Sequence, residues 1–263
     1  MRRVRPSKRV CSSKFELPKV EFEAALELEL PRMRVLLRRN GETPSSSPPP
    51  LLVLGGRAPE PDWLRKVSAG RETWALDRGA DACRAAGVVP TRILGDFDSV
   101  SEGAREWAER MGTRADCYSP DKDDTDFQLA LRLLSGDVLV TGCWGGRFDH
   151  AFSNVFSSLG AMGRGVRVLW FADEHEVLFP LWGPAKLELD FESPPSVLSL
   201  LSLTASCQGV SIENVKWPLD DVKLAQGSPR EISNVPLGRL VRVEVCSGVL
   251  GVYGKWENGE WGI

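Results

Sequence analysis

Between residues 51 and 172 short apolar runs alternate with amphipathic segments, and near residue 175 that alternation stops. "LLVLGG", "ETWALD", "TRILGD", "TRADCYS", "DVLVTGC" and "VRVLWFA" have the length and apolar content of strands. Between them "ADACRAAG", closed by Gly87, and "EGAREWAERMG", closed by Gly112, read as helices. "DTDFQLALRLL" places Phe127, Ala130, Leu131 and Leu134 at i, i+3, i+4 and i+7, and "DHAFSNVFSSLG" repeats the spacing with Phe152, Val155, Phe156 and Leu159. Over residues 51–175 this predicts an α/β unit, an open, mainly parallel sheet with helices on both faces. Over residues 176–263 the runs "AKLELDF", "SVLSLLSLT", "CQGVSIENV", "RLVRVEV" and "GVLGVYG", separated by Gly, Pro and Asn turns, predict a smaller all-β sandwich.

Residues 1–50 fit neither pattern. "MRRVRPSKRVCSSK" is basic with no acid, "VEFEAALELELPRMRVLLRRN" is weakly amphipathic, and "GETPSSSPPP" reads as an extended linker. The expectation is a disordered or loosely helical extension, with removal of residues 1–48 leaving fold and activity intact. Its Arg/Ser-rich start also has the composition of a transit peptide.

A net charge of −3 speaks against nucleic acid or an anionic membrane as partner. No apolar run reaches the length of a membrane span, and no apolar core follows the basic start as in a secretory signal. The six cysteines show no CxxC spacing, which argues against a zinc ribbon and fits reduced thiols in the cytoplasm. Two histidines leave little for a histidine-based metal site.

Three polar clusters fall where strands of the first unit end: "GDFDS" (95–99), "SPDKDDTD" (119–126) and "GCWGGRFDH" (142–150). In an open parallel sheet, ligands bind beyond the carboxyl ends of the strands. Asp96 and Asp98, two apart, point the same way in extended backbone and need a cation or a shared proton between them. Asp123 and Asp126 lie three apart at a helix start, nearly on one face. Hard oxygen ligands without histidine favour Mg²⁺, which takes phosphate oxygens as further ligands. Helix capping by Ser99 or Ser101, and acids complementing a helix dipole, are the plainer explanations of the first two clusters. In the third, Gly145 and Gly146 allow close backbone approach, Arg147 offers a planar fork for phosphate, and Asp149 and His150 open a helix. An acidic metal site facing a glycine–arginine site suits a magnesium polyphosphate.

These three motifs, in this order and spacing, resemble the thiamine pyrophosphokinase (thiamine diphosphokinase) family over about residues 51–253. The resemblance implies an ATP:thiamine diphosphotransferase: the thiamine hydroxyl attacks the β-phosphorus of ATP, the pyrophosphoryl group moves as a unit, and AMP leaves. It makes Asp96, Asp98 and Asp123 the magnesium ligands, with Asp126 close by, and these four the catalytic acids. Asp77, Thr125, Gly146, Arg147, Asp149 and His150 would line the ATP site. It further implies a homodimer with thiamine bound at the subunit interface, where Trp217 of "VKWPLD" stacks on the pyrimidine and Ser233 and Asn234 of "EISNV" offer polar contacts. One departure stands out. Where the family usually has an Asp-Gly-Gly-Ala turn, this chain reads "LDRGAD", and a positive φ at Arg78 would strain it.

Two other readings use the same residues. "DFDSV" also fits the DxDx(T/V) signature of haloacid-dehalogenase-type phosphatases, but the later "GDVLVT" lacks the second acid that class needs and "GGRFDH" is left unused. A non-catalytic thiamine or nucleotide sensor would explain Arg78 but not four clustered acids.

Overall fold

A computed structural model describes residues 22, 24–40, 47–119, 121–228 and 232–257; the basic start and residues 41–46 of the linker lie outside these. After a hairpin of β1 (Ala24–Leu30) and β2 (Met33–Arg39), strands and helices alternate. They are β3 (Leu51–Val53), α1 (Pro61–Ser68), β4 (Thr73–Leu76), α2 (Gly79–Ala86), β5 (Arg92–Gly95), α3 (Glu102–Arg110), β6 (Arg114–Cys117), α4 (Asp126–Leu133), β7 (Gly136–Thr141), α5 (Phe148–Ala161) and β8 (Val166–Ala172). Seven strands follow: β9 (Glu176–Trp182), β10 (Ala185–Phe191), β11 (Val197–Ser202), β12 (Ser206–Glu213), β13 (Leu219–Ala225), β14 (Leu240–Val245) and β15 (Val249–Lys255).

β8, β7, β3, β4, β5 and β6 lie side by side in that order, all parallel. Within this sheet the chain enters at β3, steps outward through β4, β5 and β6, then returns to β7 and β8 on the other side. The order therefore reverses between β3 and β7, and a crevice opens there beyond the strand ends. The pleat sends alternate residues to opposite faces: Leu51 and Val53 pack with Trp63, Cys83 and Ala104 of α1–α3, whereas Leu52 and Leu76 pack with Phe127, Leu131 and Val155 of α4 and α5. This is the α/β sheet with helices on both faces that the alternation predicts.

The antiparallel strands form the expected sandwich, but one of its sheets is not separate. β9, β15 and β11 continue the parallel sheet past β8, making nine strands in all. The opposing sheet has the order β1-β2-β10-β14-β12-β13, and its inward residues, such as Leu187, Leu189, Val241 and Val243, close on Phe179, Leu198 and Val252.

Two expectations need correction. Residues 24–39 are neither disordered nor helical: β2 pairs antiparallel with β10 from Met33↔Phe191 to Arg39↔Ala185, and Leu28, Leu30, Met33 and Val35 enter the core. "ALELELPRMRVLLRR" alternates apolar and polar at period two, a strand signal that its helix-forming Glu, Leu and Arg content obscures. Asp137 of β7 fixes this hairpin, accepting from Arg39 (2.6 Å) and Arg167 (3.1 Å) with all three side chains largely buried. In α5 only half of the expected apolar stripe faces the core. Val155 is buried and Leu159 packs against the core with Ser158 and Ala161, while Phe148 (80% exposed), Phe152 (54%) and Phe156 (37%) stack along the outer side at centroid distances of 5.9 and 4.6 Å.

Candidate active site

At the β3/β7 crevice lies a cleft of about 770 Å³ lined by the loops after β3, β4, β5 and β7 and by the start of α4. Asp77 follows β4 with φ at 44°. Its carboxylate lies against Gly95, where any Cβ would meet Asp77 Oδ1 at 1.8 Å, so β5 must end in glycine. The Asp96–Asp98 stretch is not extended, as the spacing suggested. Phe97 is left-handed (φ 63°), and the turn is closed by the Asp98 amide donating to Asp96 Oδ1 at 3.1 Å. The two carboxyls still come together, through a turn rather than a pleat. The cap of α3 is Ser101, separate from both acids.

Thr125 caps α4 in a reciprocal box with Gln128, and this aims Asp126 into the cleft. Asp123 is exposed and does not line it. The acids facing one another are thus Asp77, Asp96, Asp98 and Asp126, with Asp77 in the place given to Asp123 from sequence. Lys122 Nζ approaches Asp126 at 2.9 Å and Asp96 at 4.0 Å. Burial, then a hydrogen bond with Asp126 and the charges of Asp126 and Asp96, push the Asp77 carboxyl up to about 8. A hydrogen bond and charge repulsion from Asp96 raise that of Asp98.

Across the cleft, Gly145 and Gly146 are both left-handed (φ 68°), and Gly146, Arg147 and His150 line the wall with Asn154. Arg147 grips Asp149 with two nitrogens at 2.5 and 3.1 Å, which holds that carboxyl below its usual range; Asp149 itself does not line the cleft. Arg78 also lines the cleft, without strain. Its φ is −54°, Asp77 carries the positive φ, and the glycine the turn needs is Gly79, whose Cβ would lie 1.9 Å from the Val53 carbonyl oxygen.

Arg57 was not singled out by sequence reasoning. It lines the cleft, and its backbone amide donates to the Trp144 carbonyl at 2.5 Å. Its guanidinium donates to the fully buried Asp173 (2.9 and 2.5 Å) and to Glu176 (2.6 Å), which also accepts from the Tyr253 hydroxyl at 2.6 Å. The repeated triplet GGR, at 55–57 and 145–147, was the available signal.

Trp217, Ser233 and Asn234 do not reach this cleft; they sit together on the sandwich. Trp217 is 52% exposed, whereas Asn234 is 3% exposed.

The sequence model described as Thiamin pyrophosphokinase, catalytic domain, matches residues 67–169, and that described as Thiamin pyrophosphokinase, vitamin B1 binding domain, matches residues 186–250. The chain belongs to the thiamine pyrophosphokinase family. Among similar members, Thiamine pyrophosphokinase of Bacillus subtilis (strain 168) is 26% identical over 164 residues, 60% of this chain and 75% of that protein. Thiamine pyrophosphokinase 1 of Oryza sativa subsp. japonica is 22% identical over 177 residues, 61% of this chain and 64% of that one. In fold, the solved thiamine pyrophosphokinase structure from Bacillus subtilis superposes with a TM-score of 0.70 at 21% identity, covering 80% of this chain and all of that one. That from Candida albicans superposes at 0.65 and 16% identity, covering 78% and 89%. The first family match spans β4 to β8 and so contains the cleft acids and the GGRFDH loop; the second spans β10 to β14 and contains Trp217 and Asn234.

Proposed function

We infer that this chain is a thiamine pyrophosphokinase, transferring the pyrophosphoryl group of ATP to the hydroxyl of thiamine and releasing AMP. The observation that carries this reading is the facing of four carboxyls (Asp77, Asp96, Asp98, Asp126) and the Gly145–His150 loop across one cleft at the sheet's reversal point. Nothing in the site favours the phosphatase or the sensor.

The donor set fits magnesium. Four oxygen-bearing groups crowd around one lysine, paired through hydrogen bonds that require protons unless a cation replaces them. Among the described residues no group of three metal-ligating side chains is already gathered around one point. Asp77, Asp96, Asp98 and Asp126 would hold the ion, which when bound supplies charge neutralisation on the triphosphate. The chain's own work is positioning. Gly145 and Gly146 bring backbone close to phosphate, the N-terminus of α5 favours its charge, and Arg147, released from Asp149, provides the fork. Lys122 holds Asp126 in place.

The reading includes a homodimer. Trp217 lies outside its own chain's cleft, and exposed apolar side chains occur on both halves: Phe148, Phe152 and Phe156 on α5, and Trp217, Ile232 and Leu237 on the sandwich. A second copy would cover both and bring Trp217 to the neighbouring cleft. The described cysteines are all free, in keeping with a cytoplasmic setting. No helix among the described residues is long and apolar enough to cross a membrane.

Incubation with ATP, Mg²⁺ and thiamine tests the activity. AMP and thiamine diphosphate should appear in equal amounts. Phosphate release from a chromogenic monoester, with no AMP, would instead mark a phosphatase.

A further inference from the structure

The family resemblance implies Asn234 as a polar contact for thiamine, and the structure gives its carboxamide other work. Oδ1 accepts from the amides of Trp217 (3.1 Å) and Val235 (2.9 Å), and Nδ2 donates to the Trp217 carbonyl at 2.7 Å. One side chain thus satisfies both backbone polar groups of Trp217, as a neighbouring strand would. Both Oδ1 lone pairs are used, and at 3% exposure the group faces no solvent from which a ligand could approach. Asn234 is itself fixed. Its carbonyl accepts from Leu198 of β11 (2.8 Å), and the left-handed Ser233 before it is held by Ser199 Oγ at 3.0 Å. Residues 214–217 run beside 234–237, through Lys216 N to Val235 O (2.8 Å) and Leu237 N to Asn214 O (2.8 Å). The Asn234 carboxamide extends this ladder one residue further, to Trp217.

We propose that Asn234 is the positioning residue for Trp217, setting thiamine affinity by pre-orienting the exposed indole without touching thiamine. This rests on the thiamine pyrophosphokinase reading above, in which Trp217 stacks on the pyrimidine. A backbone clamped on both sides leaves the indole few orientations to lose on binding, which is where pre-organisation acts. Ser233, exposed beside it, keeps the role of a direct contact.

A double-mutant cycle with Trp217→Ala tests this. Asn234→Ala should raise the thiamine KM by about tenfold while leaving the ATP KM unchanged. In the Trp217→Ala background it should add no more than about twofold. Equal effects of Asn234→Ala in both backgrounds, or a folded Asn234→Ala with unchanged thiamine KM, would overturn the proposal. A Trp217→Ala variant with normal thiamine KM would instead overturn the underlying assignment of Trp217. Should Asn234→Ala not fold, the wild-type protein gives the answer. Nuclear Overhauser contacts from bound thiamine should reach the Trp217 ring and not the Asn234 side-chain amide, and a contact to that amide would refute the clamp.

Discussion

Asp77 gathers strain, burial and charge in a single residue: a left-handed backbone, a carboxyl pressed on Gly95, and Asp126 and Asp96 alongside. With its pKa near 8 in the folded chain and near 3.8 when unfolded, the folded state binds more protons between those limits. The metal-free protein should therefore lose stability as pH rises from about 4 to about 8. Asp98 and Asp173, raised in the same direction, add to the slope. Asp77→Asn should shrink it, and thermal melts in chelator across this range check the sign; an unchanged slope would remove Asp77 as its source. The neighbouring pair of acids gives a sharper contrast. Asp126→Asn should lower kcat/KM by about 10²–10³-fold, as loss of one preorganised electrostatic group does, whereas exposed Asp123→Asn should stay close to wild type in the same assay. Spacing alone made these two look alike, because only the capping box shows which of them the helix start turns inward. Arg78 is the converse case: Asp77 carries the positive φ of the turn and Gly79 the close approach to Val53, and no local signal in "LDRGAD" reports either.

Among the elements, those with strong periodicity were legible and those whose partners come from far along the chain were not. Every strand and helix named between residues 73 and 172 appears near its expected bounds, because each βα unit packs on its sequence neighbours. The outward turn of α5 was hidden. Its Phe spacing is that of a core face, but Ser158 and Ala161, small enough for close packing against the sheet, face inward with Val155 and Leu159 while the phenylalanines turn out. The β1–β2 hairpin was missed for a related reason: its partner β10 lies some 150 residues away in sequence. Removing residues 1–40 would uncover the edge of β10 and expose what Leu28, Leu30, Met33 and Val35 now cover, each worth about 1.5–3 kcal/mol when buried. That truncation should be insoluble or melt well below the full chain, while removal of residues 1–21 should not. Asp137→Asn, weakening the buried ion group that joins the hairpin to β7 and β8, should lower stability by about 1–3 kcal/mol in denaturant titration and leave the thiamine KM unmoved.

At the scale of the whole molecule, the parallel half carries the four cleft acids and the Gly145–His150 loop, while the sandwich carries Trp217 and Ser233 on a surface that does not meet its own cleft. On the proposed reading, a single chain holds two half-sites. If a second copy joins them, two variants impaired at low thiamine should repair each other: Asp98→Asn lacks a working cleft but keeps its indole, and Trp217→Ala keeps the cleft. Random reassortment makes half of the molecules mixed, and each mixed dimer rebuilds one of its two sites, so about a quarter of wild-type activity should return. The gain should appear only after subunits are unfolded and refolded together, or coexpressed, and should vanish when both changes lie in one chain. Substituting Phe152→Lys on the exposed stack of α5 should weaken the association in sedimentation runs and lower activity in step with dimer loss. Were the mixture to stay inactive while sedimentation still reports dimers, the indole would have to serve its own subunit, through a closure of the sandwich onto the cleft that this arrangement does not contain.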